Sequence, residues 1–396
     1  MSAIKLSDNV YWVGVKDPDL KVFDIIMPLN HGTTYNSYLI KGEKTALIDT
    51  VKLSFSDEFF TNIEEVVPAD RIDYLIINHT EPDHSGSFSE LLKRNPDIQL
   101  ICAAPAVPFV KNVLNTDANL TGIKDNHELD LGGKKLVFRM TPYMHWPDTM
   151  MEYLPEDRIL FSCDGFASHL CSERMFDDEV TEDLDHEFWY YFDAIMRPFT
   201  GYIRRNLPKL DEFEINMIGA SHGPILRRNP RGYIEKYKEW TVDKTEDKNQ
   251  VTLFFASNYG NTEKIARAMA ANLEREGFSV PVIDITATDS DQAKEYIEAS
   301  IGVVIGTPTF NGDAVKPVWD LVSNFSAVYS IGKKAAVFGS YGWGGEGVKM
   351  VAERLSGLKL KVFEENFRVR LVPSDEEMAD LERYCIELAA FLKPGK

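Results

Sequence analysis

Much that would point to a membrane, a secretory route or nucleic acid is missing from this chain. No run approaches the ~20 apolar residues that a bilayer span requires, although hydrophobic residues make up 44% of the 396. The opening Met1-Ser2-Ala3-Ile4-Lys5-Leu6-Ser7-Asp8 lacks the basic and apolar segments of a secretory leader. Positive charge is scarce: 43 Lys+Arg stand against 62 Asp+Glu, a formal charge of -19. That balance repels phosphate backbones and anionic lipid, so neither nucleic acid nor a membrane surface is expected as a partner. The four cysteines, Cys102, Cys163, Cys171 and Cys385, form no CxxC pair. Such usage offers no disulfide framework and fits a reducing cytoplasm. The loop 256–262, which follows the first strand-like run after the polar stretch 241–250, carries neither GxxxxGK[ST] nor GxGxxG, which weakens nucleoside-triphosphatase and dinucleotide readings. No internal repeat or low-complexity tract stands out.

Histidine is also sparse, with 8 in the chain, and its clustering is therefore informative. Asn78-His79-Thr80-Glu81-Pro82-Asp83-His84 packs two imidazoles and two carboxylates behind the apolar run Tyr74-Leu75-Ile76-Ile77. A buried strand ending in a tight loop would splay these groups around one point, and so dense a set suits two metal ions. His145, Asp164 and His222 each follow a strand-like run and precede a Gly- or Pro-bearing turn. A single strand-end histidine is more often structural. The same setting repeated beside a His/Glu/Asp/His cluster favours a metal site.

At 396 residues, two domains are the default. The polar stretch Thr241-Val242-Asp243-Lys244-Thr245-Glu246-Asp247-Lys248-Asn249-Gln250 reads as a linker. This places one domain at 1–248 and a second at 249–396. Before the linker, short β-like runs such as 10–15, 36–40, 44–50, 136–140 and 159–162 mix with helical patterns near 59–66, 88–93 and 107–114. That mixture predicts a sandwich of two sheets with helices outside. Beyond it, strands 251–255, 280–284, 301–307 and 334–338 alternate with helices such as 263–276, the pattern of a doubly wound parallel sheet.

Three loops follow strands of that second sheet. The first, Ser257-Asn258-Tyr259-Gly260-Asn261-Thr262, opens a helix and offers backbone N–H groups and short hydroxyl and amide side chains to a phosphate. Pro308-Thr309-Phe310-Asn311-Gly312 and Ser340-Tyr341-Gly342-Trp343-Gly344-Gly345 supply glycines for close approach to a planar ring and aromatic faces for stacking.

The order His79-x-Glu81-x-Asp83-His84, His145, Asp164, His222 resembles the metal motif of the metallo-β-lactamase-like fold. The glutamate at 81 replaces the second histidine of the zinc hydrolases, and a harder carboxylate ligand favours iron. With the flavodoxin-like second segment, the whole resembles the flavodiiron proteins, or A-type flavoproteins. That resemblance implies an N-terminal αββα sandwich carrying two irons and a C-terminal flavodoxin-like domain carrying FMN. It implies one iron on His79, Glu81 and His145, a second on Asp83, His84 and His222, and Asp164 bridging, with His84 the ligand able to leave the metal. His169 and Tyr191, beside Tyr190, are candidate groups for orienting ligands or donating protons. His31 is placed near the pocket, whereas His127 and His186 read as solvated.

The implied activity is reduction of dioxygen to water and/or nitric oxide to nitrous oxide. No CxxC occurs for a fused rubredoxin, so electrons are expected from a separate rubredoxin, a reduced deazaflavin or another reductase. A head-to-tail homodimer, alone or paired into a dimer of dimers, is the implied assembly. An acidic chain gives no long-range steering toward an acidic carrier, so docking needs a local patch that the sequence does not locate. Two rival readings remain: a zinc hydrolase with an appended flavodoxin module, and a non-enzymatic electron carrier whose metal domain is a scaffold.

Overall fold

In the computed structural model, residues 2–242 and 249–393 are described. The chain divides between Val242 and Asp243 into two compact units. The boundary expected at 248/249, and most of the linker assigned to it, lie outside the described residues. No described helix is long and apolar enough to cross a membrane.

Unit one is built on two sheets. One has seven strands, running in space Ile4–Ser7, Val10–Trp12, Tyr38–Lys41, Thr45–Ile48, Tyr74–Ile77, Gln99–Ala103 and Leu120–Ile123. The other orders Glu128–Asp130, Lys135–Met140, Met150–Leu154, Ile159–Cys163 and Met217–Ala220. Alternation along the strands sorts the side chains. Met150, Leu154, Ile159 and Phe161 join the same buried cluster as Leu39, Leu47, Leu75 and Leu100 of the first sheet. Their neighbours Met151, Tyr153 and Leu160 turn outward, onto Phe188, Ile203, Ile234 and Tyr237 of the helical segments. This is the expected sandwich. Its purpose for the site is simple: Tyr74–Ile77, Ile159–Cys163 and Met217–Ala220 all end beside one another's loops, and each delivers a metal-capable residue there.

The main sheet of unit two runs in the order Val282–Asp284, Val251–Phe255, Gly302–Gly306, Lys334–Tyr341, with Lys361–Val362 and Phe367–Arg370 both pairing with the last. All pairings in it are parallel. Helices Asn261–Arg275 and Asp375–Leu392 cover one face with Leu253, Val304 and Ala336. Val318, Val351 and Leu355 of other helices cover the opposite face. The four strands expected from sequence are all present. Lys361–Val362, Phe367–Arg370 and the closing helix lack the alternating pattern that would announce them. That helix starts at a capping box, in which Ser374 Oγ accepts from Glu377 N and Glu377 accepts from Ser374 N.

Candidate metal centre and cofactor cavity

Backbone geometry brings the seven ligand candidates of unit one together. After Ile77 the chain turns through His79 and Glu81 into the short helix Pro82–Ser85, with Pro82 at its first position. The loop expected there is thus partly a helical turn. It sets Asp83 and His84 on the far side of the cluster from Glu81. Asp164 follows Cys163, which sits in left-handed backbone at φ 51°. His222 is followed by Gly223 at φ 80°, where an added Cβ would lie 2.3 Å from Ser168 Oγ. Only glycine permits that turn.

Ligand-capable atoms fall into two trios. His79, Glu81 and His145 offer atoms within 4.8 Å of one another, and so do Asp83, His84 and His222. Asp164 stands between them and is divided atom by atom. Its Oδ2 lies 3.7 Å from His79 Nε2 and 3.6 Å from His145 Nε2. Its Oδ1 lies 3.2 Å from His84 Nε2 and 3.4 Å from His222 Nε2. Within the trios, Glu81 Oε2 is 3.0 Å from His79 Nε2 and 3.4 Å from His145 Nε2. Asp83 Oδ2 is 3.2 Å from His222 Nε2.

Three imidazoles are fixed from outside. His79 Nδ1 faces Asp148 at 3.3 Å, His84 Nδ1 faces Asp49 at 3.3 Å, and His222 Nδ1 donates to the Thr34 carbonyl at 2.7 Å. Each tie leaves Nε2 directed inward with its lone pair available, the arrangement metal-binding histidines use. Asp148 is itself held by Thr80 N at 2.9 Å and Thr80 Oγ1 at 2.6 Å, and Asp49 accepts from Asn78 N at 2.8 Å.

Fit to a cation pair can be tested on the cluster itself. His84 Nε2, Asp83 Oδ1 and Asp164 Oδ1 are buried without a hydrogen-bond partner. Buried orphan groups are costly, and a cation would satisfy all three. Without metal, protons take that role. Burial pushes the His79 imidazole down, but Asp148 and Glu81 outweigh it and hold its pKa at about 9. His222 is likewise raised to about 9, Asp164 and Asp83 overcoming burial. His84 is raised well above the ordinary value by Asp164 and Asp83 despite burial. Burial pushes Glu81 and Asp83 up, yet the neighbouring histidines hold each at about 2. Asp164 is driven well below the carboxylate range, burial being overcome first by the charge of His84. One carboxylate in each trio, with Asp164 between them, stays anionic at neutral pH, and oxygen donors of that kind beside imidazole suit hard divalent ions.

His169 and Tyr191 lie just behind His222, with ring centroids 5.1 Å and 6.3 Å from it. The Thr33 hydroxyl is 2.8 Å from His169 Nδ1, while Nε2 is buried without a partner. Burial, then the charge of His222, keeps His169 neutral. Burial raises the Tyr191 hydroxyl well above its ordinary value. Tyr191 ends helix Leu184–Tyr191, which runs into a π-turn at Phe192–Met196. Such turns recur at functional sites. His31 does not join either trio; its Nε2 is 3.9 Å from Glu187. His127 and His186 are exposed.

Sequence reasoning missed Asp148, Asp49 and the Thr34 carbonyl. Asp49 had a signal, since it follows strand Thr45–Ile48 as the ligand candidates follow theirs. It also missed Phe23, whose ring lies 4.1 Å from His169 and 5.7 Å from His222.

In unit two a cavity of about 540 Å³ opens at the carboxyl ends of the strands. Ser257, Asn258, Tyr259 and Asn261 line it with Pro308, Thr309, Phe310, Ser340, Tyr341 and Gly342. Gly260, Thr262, Asn311, Gly312, Trp343, Gly344 and Gly345 are not on its wall, whereas Ala256, Thr286, Val315, Pro317 and Leu371, unforeseen, are. Thr262 Oγ1 meets Ser340 Oγ at 2.8 Å, joining the first loop to the third. Gly260, at φ 80°, caps helix Asn261–Arg275, whose first N–H groups face the first loop. Such a helix start cradles a phosphate, and the apolar wall between Pro308 and Leu371 suits a flat ring.

Comparison with known proteins agrees with this geometry. Residues 33–223 match the ODP family beta lactamase and residues 253–384 match flavodoxin. The chain is 41% identical over 388 residues to the flavo-diiron protein FprA2 of Clostridium acetobutylicum, covering 96% of each. It is 35% identical to the anaerobic nitric oxide reductase flavorubredoxin of Vibrio vulnificus, over 89% of this chain and 73% of that one. Among solved structures, rubredoxin oxygen:oxidoreductase from Desulfovibrio gigas superposes with a TM-score of 0.70, at 27% identity and 99% coverage of both chains. A lactamase-like unit with two metal-capable trios, followed by a flavodoxin unit, along a chain this similar to FprA2, means that the protein belongs to the flavo-diiron family.

Proposed function

We propose that this oxidoreductase reduces dioxygen to water and/or nitric oxide to nitrous oxide, with electrons from a separate donor. The observation that carries the reading is the division of Asp164, one oxygen to each trio. FMN and a non-haem diiron centre are the cofactors of the family, and both sites have matching donor sets. In this reading His79, Glu81 and His145 hold one iron, Asp83, His84 and His222 the other, and Asp164 both. When bound, the two cofactors supply electron storage: four electrons and four protons convert dioxygen to two waters, and two of each convert two nitric oxides to nitrous oxide and water.

The chain's own residues supply placement and protons. Asp148, Asp49 and Thr34 hold three imidazoles in one tautomer. His169, with an unpartnered Nε2, and Tyr191, kept protonated by burial, are the groups proposed to pass protons toward the His222 side of the pocket. Glu81 weighs against the zinc-hydrolase reading, because it puts oxygen where those enzymes use imidazole. A head-to-tail pair of chains, or two such pairs, and a reducing cytoplasm that keeps the four thiols free, complete the proposal.

The test is turnover of each gas by the iron- and flavin-loaded protein, anaerobically prepared, with reduced rubredoxin as donor. Consumption of at least one gas is expected; absence of both, or stoichiometric zinc with hydrolytic turnover, overturns the reading. A second prediction concerns the flavin. Each hydroxyl donating to a phosphate contributes about 1.5–3 kcal/mol. Ser257→Ala is therefore expected to weaken FMN binding by about 10–100-fold. Fluorescence titration of the flavin-free protein measures it, and unchanged affinity rejects the assigned phosphate position.

A further inference from the structure

In a chain with 62 acidic against 43 basic side chains, exposed arginines without acidic partners are conspicuous. Two stand on strand Phe367–Arg370, beside the cofactor cavity. Phe367 and Val369 point toward helix Asp375–Leu392, and Val369 is fully buried there. Arg368 and Arg370 alternate onto the other face and are exposed. Pairing with strand Lys334–Tyr341 sets Arg368 beside Gly339 and Arg370 beside Tyr341. Tyr341, Gly342 and Leu371 line the cavity. Arg370 Nε donates to the Gly342 carbonyl at 3.1 Å, and Leu371 N donates to the Tyr341 carbonyl at 2.8 Å. The Arg370 guanidinium is therefore anchored at the cavity's rim, and Arg368 stands two positions back on the same exposed face of the strand. Neither has a carboxylate within 4.0 Å among the described residues, whereas Arg267, Arg275 and Arg383 pair with Glu263, Glu382 and Asp380. Exposed large apolar residues adjoin them in the chain: Leu371 (59% exposed) and Val372 (66%) follow Arg370, and Trp343 (79%) follows the Gly342 to which Arg370 is bonded.

We propose that Arg368 and Arg370, flanked by Trp343 and Val372, form the docking surface for a small acidic redox protein that delivers electrons to the cavity's flavin. The inference rests on the reading that the cavity holds FMN and is fed by a separate protein donor. Charge complementarity selects the occupant. The chain's net charge repels an acidic protein at a distance, so productive approach needs a local cation pair acting within a Debye length of about 8–10 Å. Arginine beside tryptophan is also the composition in which contact energy concentrates. The surface is small, as suits a transient redox encounter. Each encounter oxidises the donor by one electron. Two encounters, with two protons from water, complete the two-electron reduction of the flavin.

The experiment uses the full chain loaded with iron and FMN, in three forms: Arg368→Glu, Arg370→Glu and the double variant. The probes are a reduced acidic rubredoxin and light-reduced 5-deazariboflavin, which is small and uncharged. With rubredoxin at low salt, kcat/KM is expected to fall about 10-fold in each single variant and about 100-fold in the double. The dependence of rate on ionic strength should flatten or reverse. In Arg368→Glu, deazariboflavin-driven turnover and flavin content should stay unchanged. Arg368→Glu leaves the Arg370 bond to Gly342 in place, so loss of flavin from the other variants cannot mask the result. An unaltered rubredoxin rate in Arg368→Glu and in the double variant overturns the proposal. A change of oligomeric state on substitution also overturns it, because the face would then join copies of this chain. Failure of deazariboflavin to drive the unsubstituted protein would instead count against the flavin reading itself.

Discussion

Replacing Asp164 with asparagine is expected to leave no more than about one iron per chain and to cut gas turnover by at least about 100-fold. The two side chains are nearly isosteric, so packing is preserved and the change is chemical. Asp164 is 1% exposed and meets four imidazole Nε2 atoms, two through each oxygen. An asparagine presents one carbonyl oxygen and one N–H₂ group. The amide nitrogen has no lone pair for a metal and would point hydrogens at whichever trio it faced. The remaining oxygen carries no full charge, which weakens the other trio as well. Orienting groups outside the ligands typically matter by 10–100-fold in affinity or activity, and a group serving both ions should exceed that. Metal analysis and turnover on the same preparation measure the effect. FMN content should be unaltered, because the flavin cavity belongs to a separate compact unit. A variant that keeps two irons and near-normal turnover would reject Asp164 as the shared ligand.

The residues in this prediction were legible in the sequence for a physical reason. A buried strand must stop where its polar successor meets a site, and His79, Asp164 and His222 all mark such stops. What holds them could not be read the same way. Asp148 reaches His79 across 69 positions and the Thr34 carbonyl reaches His222 across 188. An acidic residue in a loop, or a backbone oxygen, has no pattern of its own until the sheets place it. The cofactor cavity shows the same divide. Ser257 lies on a loop just past a strand and Tyr341 ends one, and both were found. Thr286 and Leu371 come from segments with no glycine-rich signature and were not. Arg368 and Arg370 sit on a four-residue strand whose alternation is too short to stand out. The local cation patch that an acidic chain requires was therefore visible only as geometry.

Iron loading should depend steeply on pH, in the direction opposite to the stability of the metal-free protein. In the metal-free state His79 and His222 hold protons to about 9 against an ordinary 6.5, and His84 is raised as well. A histidine raised on folding contributes stability that is full below about 6.5 and is lost as pH rises through about 9. Glu81 and Asp83, at about 2 against 4.5 and 3.8, contribute stability that is full above those ordinary values and lost as pH falls through about 2. These five groups thus make the metal-free site most stable between about 4.5 and 6.5 and progressively less so toward about 9. Ferrous ion needs the same imidazoles unprotonated, so binding expels their protons. With about one proton displaced per ion, affinity rises about tenfold per pH unit, or about 100-fold between about pH 6 and pH 8. Anaerobic titration with a competing chelator at several pH values measures the slope, and calorimetry in buffers of different ionisation enthalpy counts the protons. Thermal unfolding of the metal-free protein should move the other way, its midpoint falling over the same range. If affinity proved flat across it, the three imidazoles would already be neutral without metal. Cation-for-proton exchange at this cluster would then be wrong, whatever the gas chemistry.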